Sequence, residues 1–425
     1  MNRIVSYRWP GGMNTLEIAL LLAVVTMPFG YLWNSYSIVL FAAAALLSNS
    51  PAKKMERLRR YPLFWILPLS YFVWTVVTLI WDQGRAFSRP VVDGVERSVS
   101  WFVFPVLFVT IDRLDFRSVK KILLAFVAAN LCGSFCCLWR AYLEYKATDY
   151  INVFYYHHLS EHIGINAIYF SMYCVFSIYI LIYYFLFKKQ NFLVWLVCLA
   201  ATGYLTVFVV LLSSKTMIFL LYISALSFAA YCVYYFRHKW GALILLLLLV
   251  AIPVLLIKFP YVNARMHDTQ LREYRGTADD QNGLAVRGVL WGASWDLISA
   301  RPVLGWGRYT VQGLLQKKYV QMGFNVGAKG NFNSHNQYLY TWLCYGLVGL
   351  CIYLVYAGTL LSVYLRRKNF LGICLLSLFI LANITECMLE VQKGVVFFFL
   401  FGNLLLFHTM NPKSRPPEDD NGQMS

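Results

Sequence analysis

Apolar runs follow one another along almost the whole chain, parted by short polar breaks, and most are about 17–25 residues long, the length a helix needs to cross a hydrocarbon core of roughly 30 Å. They cover residues 14–31, 34–50, 62–81, 97–111, 119–143, 163–187, 191–212, 216–236, 241–259, 334–364, 370–385 and 390–409. The pattern predicts an all-α polytopic membrane protein with about 12 transmembrane helices. The first run is kept as a helix, because Met27-Pro28-Phe29-Gly30 offers no small-x-small cleavage site and a second apolar run follows at once.

The breaks alternate in charge. Arg3 and Arg8, the Lys53–Arg60 stretch, Arg113 to Lys121, Lys188 and Lys189, Arg237 and Lys239, Arg366 to Lys368, and Lys413 with Arg415 fall on one side. Basic residues in short loops resist translocation, so this side is expected to be cytoplasmic, with both termini inside. Residues 1–259 then carry helices 1–9, 260–333 form one large periplasmic loop with interfacial helices, 334–410 carry helices 10–12, and 411–425 make a polar, disordered cytoplasmic tail.

Composition agrees with this plan. Of 425 residues, 59% are hydrophobic and 13% charged, too little polar surface to cover a soluble globule of this size. The net charge of +17 is mostly a topology signal, and with no soluble basic domain to carry it a nucleic-acid partner is not expected. The long loop is the exception. It carries Arg265, Arg272, Arg275, Arg287, Arg301, Arg308, Lys317, Lys318 and Lys329, a basicity the loop rule does not explain and an anionic partner would. The ten cysteines lie in or at the ends of apolar runs and read as small core residues.

Metal chemistry finds little support, since His157, His158 and His162 lack a second ligand group at zinc spacing and there is no HExxH or DxD motif. Neither a metal nor a cofactor is expected. Gly305-Trp306-Gly307 is too short for a nucleotide loop and reads as a turn with Trp306 at the membrane interface. From Leu284 to Ala300 the pattern is helical, with Arg287, Trp291 and Trp295 four apart on one face. Arg287 then reads either as a snorkelling anchor on a surface helix or as a phosphate-binding fork directed at the helical bundle. Lys215, in a short turn between two apolar runs, carries the same pair of readings.

The stretch GNFNSHNQYLYTWLCYGLVGL, Gly330 to Leu350, turns from polar to apolar within a few residues. Ser334 at the cap position and Gln337 three residues on fit a capping box. This accounts for Ser334 and Gln337 but not for His335. In the first turn, the positive end of the helix dipole would keep a neutral ring nitrogen available, so His335 reads either as a general base or as an interfacial hydrogen-bonding residue.

With this layout, the loop arginine, RPVLGWG and NSHNQYLYTWLCYGLVGL, the chain resembles the O-antigen ligase and polymerase superfamily, at motif level from Leu205 to Gly349. The resemblance implies a GT-C-type glycosyltransferase that moves a glycan from undecaprenyl diphosphate onto the lipid A-core oligosaccharide. Transfer would occur on the periplasmic face of the inner membrane, by metal-independent inverting displacement. By position, His335 matches the family base and Arg287 the diphosphate-holding arginine. Lys215 falls where relatives usually have Arg, which keeps the charge and loses the fork. Asn336, Arg308 and Trp291 stand close enough in the motifs to be supporting residues. The shared motifs do not separate ligase from O-antigen polymerase. A transporter or lipid flippase is less favoured, because it would place ionisable groups at mid-membrane and show internal symmetry.

The orientation has a direct test: alkaline phosphatase fused near Gly283 is expected to be active and the same reporter at Lys189 inactive. Activity at Lys189 would overturn it.

Overall fold

The computed structural model describes residues 13–82, 89–112, 114–187, 191–231, 247, 250–251, 254–256, 258–267 and 283–410. Most of the expected ninth span, 241–259, and the tail 411–425 lie outside them, as do Arg113, Lys188, Lys189, Arg237, Lys239, Arg272 and Arg275. The described residues are helical and contain no strand. Among the described residues six helices are long and apolar enough to cross a membrane, and a pair bent by 100° makes a seventh if it is one span.

The chain divides into two compact units. The first holds α1 (Thr15–Val25), α2 (Tyr31–Leu47), α6 (Phe116–Thr148), α7 (Tyr156–Glu161), α8 (Ala167–Phe187), α9 (Phe192–Leu211), α10 (Lys215–Tyr231) and α11 (Pro260–His267). Its centre is α8, whose apolar side chains are almost entirely buried. Buried polar groups pin the neighbours at fixed heights. Asn34 on α2 donates to the Ala23 carbonyl of α1 at 2.9 Å, and Asn130 on α6 donates to Ser177 on α8 at 3.0 Å. Such groups are costly in an apolar phase unless paired, so each pair fixes a register.

The second unit holds α3 (Pro51–Arg60), α4 (Leu63–Val77), α5 (Arg89–Thr110), α12 (Gly283–Ala300), α13 (Arg308–Gln321), α14 (Asn325–Lys329), α15 (Gln337–Arg366), α16 (Phe370–Ala382) and nearly all of α17 (Gln392–Thr409). Its core is aromatic. Trp101 of α5 stacks on Tyr71 of α4 at 3.7 Å and meets Tyr353 of α15 and Phe399 of α17 at 5.8 and 5.0 Å. The expected spans 14–31 and 370–385 form helices of 11 and 13 residues, each short of a full crossing.

The second unit turns on a break in α15. At Gly346 the backbone takes φ 65° and ψ −174°, so the helical ladder is interrupted and carbonyls on the preceding turn lose their partners. The segment after α12 supplies them. Trp306 N–H donates to Leu343 O at 2.9 Å, Gly307 N–H to Cys344 O at 3.0 Å, and the Trp74 indole to Tyr345 O at 2.7 Å. In return Pro302 O accepts from Leu347 N–H at 2.9 Å and from the Trp342 indole at 2.8 Å. Gly305-Trp306-Gly307, expected as a simple turn, is therefore backbone inserted into a helix, and Trp306 donates its own indole N–H to Leu297 O at 2.8 Å. Only glycine permits the approach, since a Cβ on Gly346 would run into the Val303 carbonyl and one on Gly305 into the backbone of Cys344 and Gly346.

The inserted segment leads directly into α13, and a residue far away in sequence caps that helix. Asp82, nearly buried, accepts from Tyr309 N–H and Thr310 N–H at 2.9 Å each and from the Thr310 hydroxyl at 2.7 Å. A carboxylate here satisfies orphan donors and meets the positive end of the helix.

Gly346→Ala is expected to destabilise the purified protein by about 2–4 kcal/mol, from left-handed strain and the collision with Val303 together. Gly358→Ala, where nothing lies within 4 Å of the added Cβ, is the matched control and should be neutral or stabilising. Equal unfolding midpoints for the two variants would contradict the packing described.

Candidate active site

Three segments of the second unit bring charge together. The first is the polar run before α15. The expected capping box is not formed: α15 starts at Gln337, and Asn336 is its cap, with Oδ1 accepting from Tyr338 N–H at 3.0 Å and Leu339 N–H at 3.1 Å. Ser334 instead donates to Asn336 O at 2.9 Å. The shorter Asn side chain reaches the first free amides directly, which releases Gln337 for other work.

Gln337 is fully buried and staples the second segment, the turn between α16 and α17. Its N–H donates to Asn383 O at 2.8 Å, and its side-chain oxygen accepts from Leu389 N–H at 2.8 Å. Glu386 lies between these two staples and is held by them.

His335 precedes the cap, so it is not in the first turn as the sequence pattern suggested. Its backbone is left-handed (φ 41°), with its N–H donating to Asn333 Oδ1 at 2.9 Å. In this pose the ring packs edge-on against Phe332 at 5.7 Å and places Nδ1 3.1 Å from Glu386 Oε2. The other carboxylate oxygen, Oε1, accepts from Arg287 Nη2 at 3.2 Å, while Arg287 Nε donates to Thr385 O at 3.3 Å. Arg287 comes from α12, the third segment. One carboxylate thus joins the candidate base to the candidate anion-binding cation. With Nδ1–H directed at Glu386, the Nε2 lone pair is the nitrogen left to accept a proton.

Arg308 belongs to a second buried pair. Its Nη2 lies 2.6 Å from Glu390 Oε2, and Arg97 donates to the Glu390 carbonyl at 2.7 Å. Burial is the largest single influence and works against the Arg308 cation, but the Glu390 carboxylate, with smaller contributions from Tyr340, Tyr345 and Cys344, more than offsets it and holds the guanidinium above its ordinary range. Arg308 is therefore occupied in fixing the turn that carries Glu386.

Of the other expected residues, Asn336 acts as the cap, and Trp291 lies one turn from Arg287 on α12 with a buried indole N–H that has no hydrogen-bond partner among the described residues. Lys215 is the first residue of α10, after the short turn Leu212–Ser214, and belongs to the first unit. The His157 cluster is also in the first unit. There His162 lies 3.5 Å from Glu144, and His157 Nδ1 accepts from Ala167 N–H at 3.4 Å. Among the described residues no group of three His, Cys, Asp or Glu side chains could hold a metal ion, and the cysteines are free thiols. Glu386, Glu390 and Asp82 are residues of the site and its supports that no motif singles out. The available signal for the first two is a pair of carboxylates four residues apart, in the polar break between the last two apolar runs of a chain that is poor in acid.

Several membrane-length helices and a charged cluster at the start of one of them define an all-helical, multi-pass membrane protein. Residues 200–354 match the family model described as O-Antigen ligase, a match that supports a relation to the O-antigen ligase superfamily. The matched segment contains Lys215, Arg287, Arg308 and His335; Glu386 and Glu390 fall beyond it. No curated protein matches the chain.

If Glu386 joins Arg287 to the His335 segment, the two side chains are energetically coupled. Unfolding of Glu386→Gln, Arg287→Gln and the double variant should give a coupling of about 1–3 kcal/mol. Strict additivity would show that the pair is a contact without consequence.

Proposed function

We propose that the protein is an O-antigen ligase of the GT-C type. It transfers a glycan from undecaprenyl diphosphate to the lipid A-core oligosaccharide on the periplasmic face of the inner membrane, with both termini cytoplasmic. The observation that carries this reading is the Glu386 carboxylate shared between His335 and Arg287, at 3.1 and 3.2 Å. The match of residues 200–354 to the O-Antigen ligase family model and the basic bias of the short loops support it.

In this reading the acceptor hydroxyl approaches His335 Nε2, which takes its proton as the oxygen attacks the anomeric carbon. The bond from that carbon to the phosphate oxygen breaks, and the diphosphate leaves with the electron pair. Attack from the face opposite the leaving group inverts the configuration. Glu386 has two roles. It fixes the ring tautomer, and it balances the charge the imidazole gains on accepting the proton. Arg287 faces the charge that builds on the leaving diphosphate, for which a planar fork of donors is suited. For Lys215, on the first turn of α10 in the first unit, the reading as a diphosphate-binding point charge in place of a fork rests on the resemblance in sequence alone. Asn336 and Arg308 act indirectly, as cap and as brace. No step requires a metal ion.

The test is transfer from a lipid-diphosphate donor to purified core lipid by wild type and His335→Gln. Glutamine keeps a polar side chain but cannot serve as the base, so the rate should fall a hundred- to ten-thousandfold while donor binding persists. Full transfer by well-folded His335→Gln would return the residue to an architectural role. In a deletion strain, a single repeat unit left on the core, in place of loss of all capped core, would redirect the reading to an O-antigen polymerase.

A further inference from the structure

The cations of the second unit are not alike. Arg287, Arg308 and Lys318 each face a carboxylate, at 3.2 Å from Glu386, 2.6 Å from Glu390 and 2.7 Å from Asp296. Arg301 does not. Among the described residues its guanidinium makes no hydrogen bond and no ion pair, yet it is held in place: it lies over the Trp81 ring at 5.9 Å and the Trp306 ring at 5.6 Å. The Trp81 indole N–H is buried and has no hydrogen-bond partner among the described residues. The nearby carboxylate of Asp82 is taken up by the Tyr309 and Thr310 amides and the Thr310 hydroxyl. The result is a fixed cation, partly desolvated by two aromatic faces, with its donors uncommitted among the described residues.

Its height can be read from α15. Counting back about 20 residues from Arg366, the length that spans a hydrocarbon core, reaches Gly346, so the break lies close to the membrane boundary. Pro302, next to Arg301, is bonded at that level to Leu347 and Trp342. Arg287 is 14 positions earlier along α12, roughly 21 Å away at about 1.5 Å per residue. A diphosphate spans only a few ångströms, so one donor headgroup cannot reach both arginines.

We propose that Arg301, clamped between Trp81 and Trp306, is a second anion site that takes a phosphate group of the acceptor glycolipid at the membrane boundary. This rests on the ligase reading for the word acceptor, while the site itself rests on the geometry. The clamp would hold the anionic base of the lipid while its glycan extends toward His335.

The experiment is equilibrium binding to purified full-length protein in neutral detergent, with three probes: a bisphosphorylated glycolipid, the same lipid dephosphorylated, and inorganic phosphate. Wild type should prefer the phosphorylated lipid by about tenfold or more. R301Q should lose that preference, R301K should keep most of it, and the dephosphorylated lipid should bind wild type and R301Q equally. Equal affinity of wild type for the two lipids overturns the proposal whether or not R301Q folds, and so does undiminished preference in R301Q. Arg301-dependent binding of inorganic phosphate as tight as that of the lipid would assign the site to a free anion and overturn the acceptor assignment. Because binding needs no transfer, a wild type that shows the Arg301-dependent preference but transfers nothing would sink the ligase reading alone.

Discussion

Backbone carbonyls cannot be left unpaired in an apolar phase, and the second unit is organised around one place where a helix leaves them so. The break at Gly346 is filled by the backbone of residues 302–307 and by the Trp74 indole. An unsatisfied amide or carbonyl in hydrocarbon costs several kcal/mol, so the two segments are interdependent: without the insert the helix could not be broken, and without the break the insert would have no seat. The glycines at 305 and 346 follow from the closeness of the two backbones, and Gly307 from the Asp82 side chain packed against it, since a Cβ at any of the three would collide there.

That seat positions the helices on both sides of it in the chain. α12 ends at the seal and places Arg287 beside Thr385 and Glu386; α13 begins at the seal, capped by Asp82, and places Arg308 against Glu390. The same helix steadies the loop before His335: Gln312 donates to Asn331 O at 3.0 Å, Gln316 bonds the Asn331 side chain, and the Tyr319 hydroxyl reaches Asn333 O at 3.4 Å. Asn331 and His335 both hold left-handed backbones, a local cost sustained by these contacts. Strain of this kind keeps a side chain where relaxed backbone would not put it, and in this loop it turns the imidazole toward Glu386.

Much of this could be read from the chain itself, and the reasons for the rest are physical. Long apolar runs declare themselves because a membrane span must be apolar throughout, so the six membrane-length helices among the described residues all fall on expected spans. Arg287 and His335 stand out because polar groups are scarce in such a chain. Glu386 does not, because its partners lie 51 and 99 positions away and no local pattern encodes their meeting. The Ser334–Gln337 spacing fits a capping box, but Asn336 competes for the same amides and wins, while Gln337 finds better partners in Asn383 and Leu389. Gly346 sits inside an apolar run whose periodicity continues on both sides, and nothing in that periodicity reports a break supplied with partners from forty residues upstream.

In the proposed reaction one base, held by one carboxylate, delivers the acceptor oxygen to the anomeric carbon in a single displacement. The anomeric configuration of the new linkage reports on that step most directly. With a lipid-diphosphate donor of defined configuration and purified core lipid, the bond formed by the wild-type protein should be inverted relative to the donor. A retained configuration would require two displacements through a covalent intermediate, and would contradict the roles of His335 as the base and Glu386 as its support.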